Sequence, residues 1–96
     1  MITGYGDEAT RDVHYGINSR AARAFPVVVR SIAARKMDLI GAATELRDLK
    51  VPPGNRLEKL AGDLVGFYSI RVNDQFRIVF RFESGAASAV RLADYH

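Results

Sequence analysis

Phe67-Tyr68-Ser69-Ile70-Arg71-Val72-Asn73-Asp74-Gln75-Phe76-Arg77-Ile78-Val79-Phe80-Arg81-Phe82 alternates apolar and polar side chains with a period of two, the pattern of β-strands that bury one face. It reads as two antiparallel strands, Phe67 to Val72 and Phe76 to Phe82. In the first, Tyr68, Ile70 and Val72 form the apolar face and Ser69 and Arg71 the other. In the second, Phe76, Ile78, Phe80 and Phe82 lie opposite Arg77, Val79 and Arg81. The connection follows from the same alternation. A two-residue loop at Asn73-Asp74 would set Ile70 beside Arg77 and mix apolar with charged side chains on both faces. A three-residue loop sets Val72 against Phe76 and Ile70 against Ile78, which keeps one face apolar and collects Arg71 and Arg77 on the other. Because a slip of one residue inverts a strand, the three-residue loop is expected.

Toward the C-terminus, Ser84-Gly85 makes a turn and Ala87 to Ala93 a last strand, with Val90 and Leu92 on one side and Arg91 on the other. Toward the N-terminus, Arg56 to Leu60 reads as a strand followed by a turn at Gly62-Asp63, and Val51-Pro52-Pro53-Gly54 stops helix formation. Upstream, the period changes. Val29, Ile32, Ala33, Met37 and Ile40 recur at helical spacing, so a helix from Pro26 to Ile40 is expected, with Arg30, Ala34, Arg35 and Asp38 on its solvated side. Gly41 is expected to interrupt it, with a further turn or two through Ala43, Leu46 and Leu49. Asp7 fits the N-cap of a first helix through Val13 or His14 that Gly16 ends, with Ala9 and Val13 facing the core and Arg11 and Asp12 turned away. Met1 to Tyr5 reads as a brief strand. The fold class is therefore α+β, in the order β-α-α-β-β-β-β, with helices on the apolar face of one twisted, mainly antiparallel sheet and arginines on its free face.

Ninety-six residues, 48% of them hydrophobic, suffice for a single domain spanning 1–96 with one modest core. Fourteen basic residues against 11 acidic give a net charge of +3, which favours polyanionic partners. All but Lys36, Lys50 and Lys59 of the basic residues are arginine, whose planar guanidinium makes bidentate contacts to phosphate. A GC-rich coding bias would enrich the same residue type. The absence of cysteine excludes disulfides and thiolate metal sites, and with only His14 and His96 no histidine zinc site is expected. No apolar run reaches the ~20 residues of a membrane span and no signal pattern opens the chain, so a cytoplasmic protein is the expectation. Phosphate-binding glycine loops, dinucleotide fingerprints and nucleophile elbows are absent, and no cofactor is implied.

Arginines on adjacent strands repel one another unless an anion joins them. Arg71, Arg77 and Arg81 can pair with Glu58, Asp63 or Glu83 as ordinary surface charges, or together they can hold phosphate. RNA is cut without a metal when a base takes the 2′-hydroxyl proton, cations stabilise the charge added at phosphorus, and an acid protonates the leaving 5′-oxygen. Arg77 and the closing Asp94, Tyr95 and His96 supply residue types for those roles, His96 because its ordinary pKa of ~6.5 permits either direction of proton transfer. His14, with no carboxylate or nucleophile at useful spacing other than Tyr15, is read as surface or boundary packing.

Residues 46–58, from Leu46-Arg47-Asp48-Leu49-Lys50 through Val51-Pro52-Pro53-Gly54-Asn55-Arg56-Leu57-Glu58, together with residues 66–78 and the ending Asp94-Tyr95-His96, resemble the HigB-type toxins of the RelE superfamily, also called plasmid-maintenance killer proteins. The resemblance covers nearly the whole chain. It implies a metal-independent endoribonuclease that enters the ribosomal A site and cleaves translated mRNA. It also implies a HigA-type helix-turn-helix antitoxin that neutralises the toxin and through which operator DNA is bound, and no membrane. Carried over, the catalytic positions are Arg77, Asp94, Tyr95 and His96, with Glu58 standing where some relatives have a histidine. Arg56, Lys59, Arg71 and Arg81 are the expected RNA-binding residues. A silent binding module acting in operon repression and a gyrase-directed toxin of the ParE type are the alternatives.

Overall fold

The sheet adopts the register that alternation favours. In the computed structural model, which describes residues 1–95, Ile70 pairs with Ile78 and Arg71 with Arg77 across the three-residue loop, and the backbone N–H of Val72 donates to the carbonyl of Phe76 at 2.9 Å. Asn73 closes that loop with its side-chain oxygen, which accepts from the backbone N–H groups of Gln75 (2.9 Å) and Phe76 (2.7 Å). Four strands, β1 (Glu58–Lys59), β2 (Phe67–Arg71), β3 (Phe76–Glu83) and β4 (Ala86–Asp94), lie antiparallel in sequence order. The strand expected over Arg56–Leu60 shrinks to two residues because Arg56 is left-handed (φ 46°) and cannot join a ladder.

Two helices, α1 (Glu8–Tyr15) and α2 (Val27–Ala42), cover the apolar face. The Asp7 carboxylate accepts from the Thr10 N–H at 2.8 Å, and Gly16 (φ 73°) ends α1 in the left-handed conformation that glycine adopts without steric cost. Val29, Ala33, Met37 and Ile40 of α2 pack on Ile70, Ile78 and Phe80, all buried. Each such large apolar side chain contributes roughly 1.5–3 kcal/mol by leaving water. Gly41 does not interrupt α2, which runs on to Ala42. Glycine in a helix costs about 1 kcal/mol relative to alanine, less than the burial of Ile40 and Ala43 on either side of it returns.

The expected N-terminal strand is reduced to two isolated parallel bridges, Ile2 with Ala87 and Tyr5 with Val90. Between them β4 is bulged at Ala89, whose φ is 50°, so no continuous ladder forms. The N-terminal segment still serves the sheet, since Thr3 and Gly6 donate to the carbonyls of Ala87 and Val90 and the Thr10 hydroxyl accepts from the N–H of Leu92. Residues 1–10 thus cap the β4 edge, and the opposite edge is only two residues long.

Asp12 is buried rather than turned away from the core. Its carboxylate accepts from the Ser19 hydroxyl at 2.7 Å and from Arg11 at 3.0 Å, tying α1 to the turn at Ala22–Ala24, where Ser19 also accepts from the Ala22 N–H. The Ser19 hydroxyl, followed by Arg11, holds the Asp12 carboxyl below the usual carboxylate range. A depressed carboxyl stabilises the fold above the unfolded-state pKa of ~3.9, and that contribution is lost as pH falls through the lower folded value. Asp12→Asn should therefore lower the melting temperature at neutral pH, with the gap from wild type closing below about pH 4. A gap independent of pH would remove the ionised carboxylate from the account. No helix among the described residues is long and apolar enough to cross a membrane.

Candidate active site

Register places the polar residues before any side chain is considered. Glu58 pairs with Ser69, Ser69 with Val79, Arg71 with Arg77, and Arg77 with Ala93, so these side chains share the face away from the helices. That face is not an open arginine surface. Leu60, Val79 and Ala93 form a second small core there with Leu64 and Phe67, and Arg77 itself is only 9% exposed.

Arg77 is held by its neighbours. Its Nε donates to the Ser69 hydroxyl at 2.8 Å, and its Nη2 donates to the Arg56 carbonyl at 2.5 Å and more weakly to the Ser69 carbonyl at 3.4 Å. Nη1 makes no hydrogen bond to any described residue. Glu58, half exposed, brings Oε1 to 3.9 Å from Nη2, close enough for attraction but without a hydrogen bond. Arg71 reaches the exposed Asp74 carboxylate at 2.5 Å, an ion pair across one turn that water and competing anions can break.

These groups line a polar cavity of about 230 Å³ bounded by Arg56, Glu58, Arg71, Asn73, Asp74, Arg77 and Tyr95. Tyr95 is carried to its rim because its backbone N–H donates to the Gln75 carbonyl at 2.7 Å, extending the strand beyond β4. The lining counts three arginines against two carboxylates, an excess of positive charge around Glu58. A larger cavity of about 450 Å³ lies between α1 and α2, but its carboxylate, Asp12, is already taken by Ser19 and Arg11.

Of the residues expected from sequence, Arg56, Glu58, Arg71, Arg77 and Tyr95 come together. Lys59 does not, because it pairs with Tyr68 and so projects toward the helix side. Asp94 pairs with Phe76 on that same side, where it accepts from the Gln75 amide at 3.0 Å. Arg81 shares the face of Arg77 but sits at the far end of β3, its guanidinium 4.4 Å over the Phe67 ring. His96 lies outside the described residues. Asn73 and Asp74, expected only as loop residues, line the cavity as well.

His14 has partners that sequence spacing did not show. Its Nε2 lies 2.8 Å from Asp38 on α2 and its Nδ1 2.5 Å from the Tyr5 hydroxyl. With the Asp38 carboxylate accepting from Nε2–H, Nδ1 accepts from Tyr5, so the ring ties α1, α2 and the N-terminal segment together. Burial, followed by Tyr15, raises the pKa of Tyr5.

A family model described as HigB-like toxin, the RelE-like toxin of type II toxin–antitoxin system HigB, matches residues 9–96. The chain is 43% identical over 65 residues to Toxin HigB-1 of Vibrio cholerae, an alignment covering 68% of each protein. It is 37% identical over 67 residues to an uncharacterized protein of Haemophilus influenzae, covering 70% of this chain and 66% of the other. Among solved structures, a chain of the YoeB–YefM complex from Staphylococcus aureus superposes with a TM-score of 0.62 over all of this chain and 95% of that one. At 20% identity that likeness bears on the fold alone.

Proposed function

Because the chain belongs to the HigB-like family of RelE-type toxins from type II toxin–antitoxin systems, we propose that it is a ribosome-dependent endoribonuclease that cleaves mRNA in the A site and so stops translation. The observation that carries this reading is the cavity that sets the Arg77 guanidinium and the Glu58 carboxylate side by side, with Arg56 and Arg71 around them and Tyr95 at the rim.

The chemistry follows from what each group can hold. Nη1 of Arg77 contacts the scissile phosphate and Arg71 exchanges Asp74 for a phosphate oxygen, stabilising the charge that gathers on phosphorus. Glu58 takes the proton from the 2′-hydroxyl, whose oxygen forms a bond to phosphorus as the bond to the 5′-oxygen breaks. The leaving oxygen takes a proton from His96, and the products are a 2′,3′-cyclic phosphate and a 5′-hydroxyl. Tyr95 stacks on a neighbouring base and fixes the nucleotide. Arg56 completes the positive wall. A carboxylate in place of a histidine can also act as a base but brings no positive charge to phosphorus afterwards, so the arginines carry that burden alone.

The partner proposed is a HigA-type helix-turn-helix antitoxin that neutralises the toxin and links it to operator DNA, with both acting in the cytoplasm. Expressed without its antitoxin, the protein should arrest growth, shorten translated transcripts and leave untranslated ones whole. Arrest with intact mRNA and induction of a DNA-damage response would point to a gyrase-directed toxin, and neither arrest nor cleavage to a silent binding module.

A further inference from the structure

One residue before the site lies a wholly buried amide. Asn55 is 0% exposed, and both ends of its side chain are in use. Its Nδ2 donates to the carbonyls of Leu49 at 3.1 Å and Val51 at 3.3 Å, and its Oδ1 accepts from Nζ of Lys36 on α2. A primary amide has two donors and an acceptor, and here the turn at Leu46–Lys50, the chain before Pro52 and α2 each take one. That satisfaction is what allows a polar side chain so deep in the fold. Lys36 is drawn into the same arrangement, and desolvation, followed by the nearby Arg35, lowers its pKa.

The next residue departs from ordinary backbone geometry. Arg56 has φ 46° and ψ 57°, a left-handed conformation that a residue with a side chain keeps only where its surroundings impose it. In that conformation the Arg56 N–H donates to the Pro53 carbonyl at 3.1 Å, and the Arg56 carbonyl faces the sheet and accepts from Nη2 of Arg77. An unbroken path therefore runs from α2 through Lys36 and Asn55 to the Arg56 carbonyl and the Arg77 guanidinium.

We propose that Asn55 is a positioning residue of the nuclease site. By fastening residues 49–55 to α2 it holds the Arg56 carbonyl where that carbonyl fixes Nη2 of Arg77, which presents Nη1 to the phosphate. The inference rests on the nuclease reading for its effect on turnover, but the positioning itself is measurable without RNA. A donor aimed at a phosphate loses catalytic value quickly when its direction wanders, even though its charge persists.

The test compares the full-length protein with Asn55→Ala, Asn55→Asp and Lys36→Met. The readouts are melting temperature, hydrogen exchange of the Arg77 Nε–H by NMR, and single-turnover cleavage of ribosome-bound mRNA with ribosome affinity measured separately. Asn55→Ala should speed Arg77 Nε–H exchange and slow cleavage, each by about tenfold or more, with ribosome affinity unchanged. Asn55→Asp keeps the acceptor toward Lys36 but turns oxygen toward two carbonyls, so it should give the same losses. Lys36→Met leaves both Nδ2 hydrogen bonds in place, should shift both readouts in the same direction by less, and decides the matter if the Asn55 variants fail to fold. Folded variants with a lowered melting temperature but wild-type Arg77 exchange would overturn the proposal, because Asn55 would then be a loop staple only. If the wild-type protein cleaves no mRNA, the nuclease reading fails, while the exchange measurement still decides whether Asn55 positions Arg77.

Discussion

Arg77→Ala should reduce cleavage of ribosome-bound mRNA by about 10²–10³-fold or more and lower the melting temperature at the same time. The catalytic loss follows from removing a charged donor held in place before the substrate arrives, the kind of group whose deletion costs about that much in turnover. The stability loss follows from burial. With the guanidinium gone, the Ser69 hydroxyl and the Arg56 carbonyl lose a donor in a place that water reaches poorly, a penalty of roughly 1–3 kcal/mol. Arg77→Lys should not restore activity, although it preserves the charge. An ammonium cannot hold Ser69 and Arg56 from two nitrogens while offering a third to phosphate. Cleavage by single-turnover assay and thermal unfolding of the same preparations check both halves. Wild-type cleavage in Arg77→Ala would remove Arg77 from the mechanism.

Glu58→Gln should separate the two losses. Loss of a general base slows a proton-transfer step by about 10²–10⁴-fold, so cleavage should fall within that range. The melting temperature should hardly change, since the Glu58 side chain is 54% exposed and comes no nearer than 3.9 Å to Arg77. Loss of activity with an intact fold is what separates a catalytic carboxylate from a structural counter-ion. A substantial drop in melting temperature without loss of cleavage would assign Glu58 the second role.

The sheet was legible because its alternation admits only one register that keeps Ile70 against Ile78, and that register also put Arg71 beside Arg77. The α2 stripe was legible for the corresponding reason at helical period. What escaped notice was whatever depends on partners distant in the chain. His14 and Asp38 are 24 residues apart and Lys36 and Asn55 are 19 apart, so no local pattern announces either contact. The burial of Arg77 is of the same kind, because the hydrophobic cover of Leu60 and Leu64 arrives from outside the two strands that alternate.

Other misplacements came from grouping residues by sequence proximity. Successive residues on a strand point to opposite faces, so Lys59 cannot join Glu58, nor Asp94 join Tyr95. Arg81 is on the correct face but four residues beyond Arg77, about 13 Å at ~3.3 Å per residue, too far to share one phosphate. The RNA-binding set expected from sequence thus divides, with Arg56 and Arg71 at the cavity and Lys59 and Arg81 away from it. Period two, applied along each strand as strictly as it was applied across the loop, separates Lys59 and Asp94 from the site in advance.

The most direct test is a purified translation system programmed with a single mRNA, to which the protein is added and in which the 5′ ends of any new fragments are mapped. The wild-type protein should produce cuts within translated codons only when ribosomes are present, leaving 2′,3′-cyclic phosphate on the upstream fragment, and both Arg77→Ala and Glu58→Gln should leave the message whole. Intact mRNA with the wild-type protein, under conditions where it arrests growth in cells, would contradict the nuclease reading.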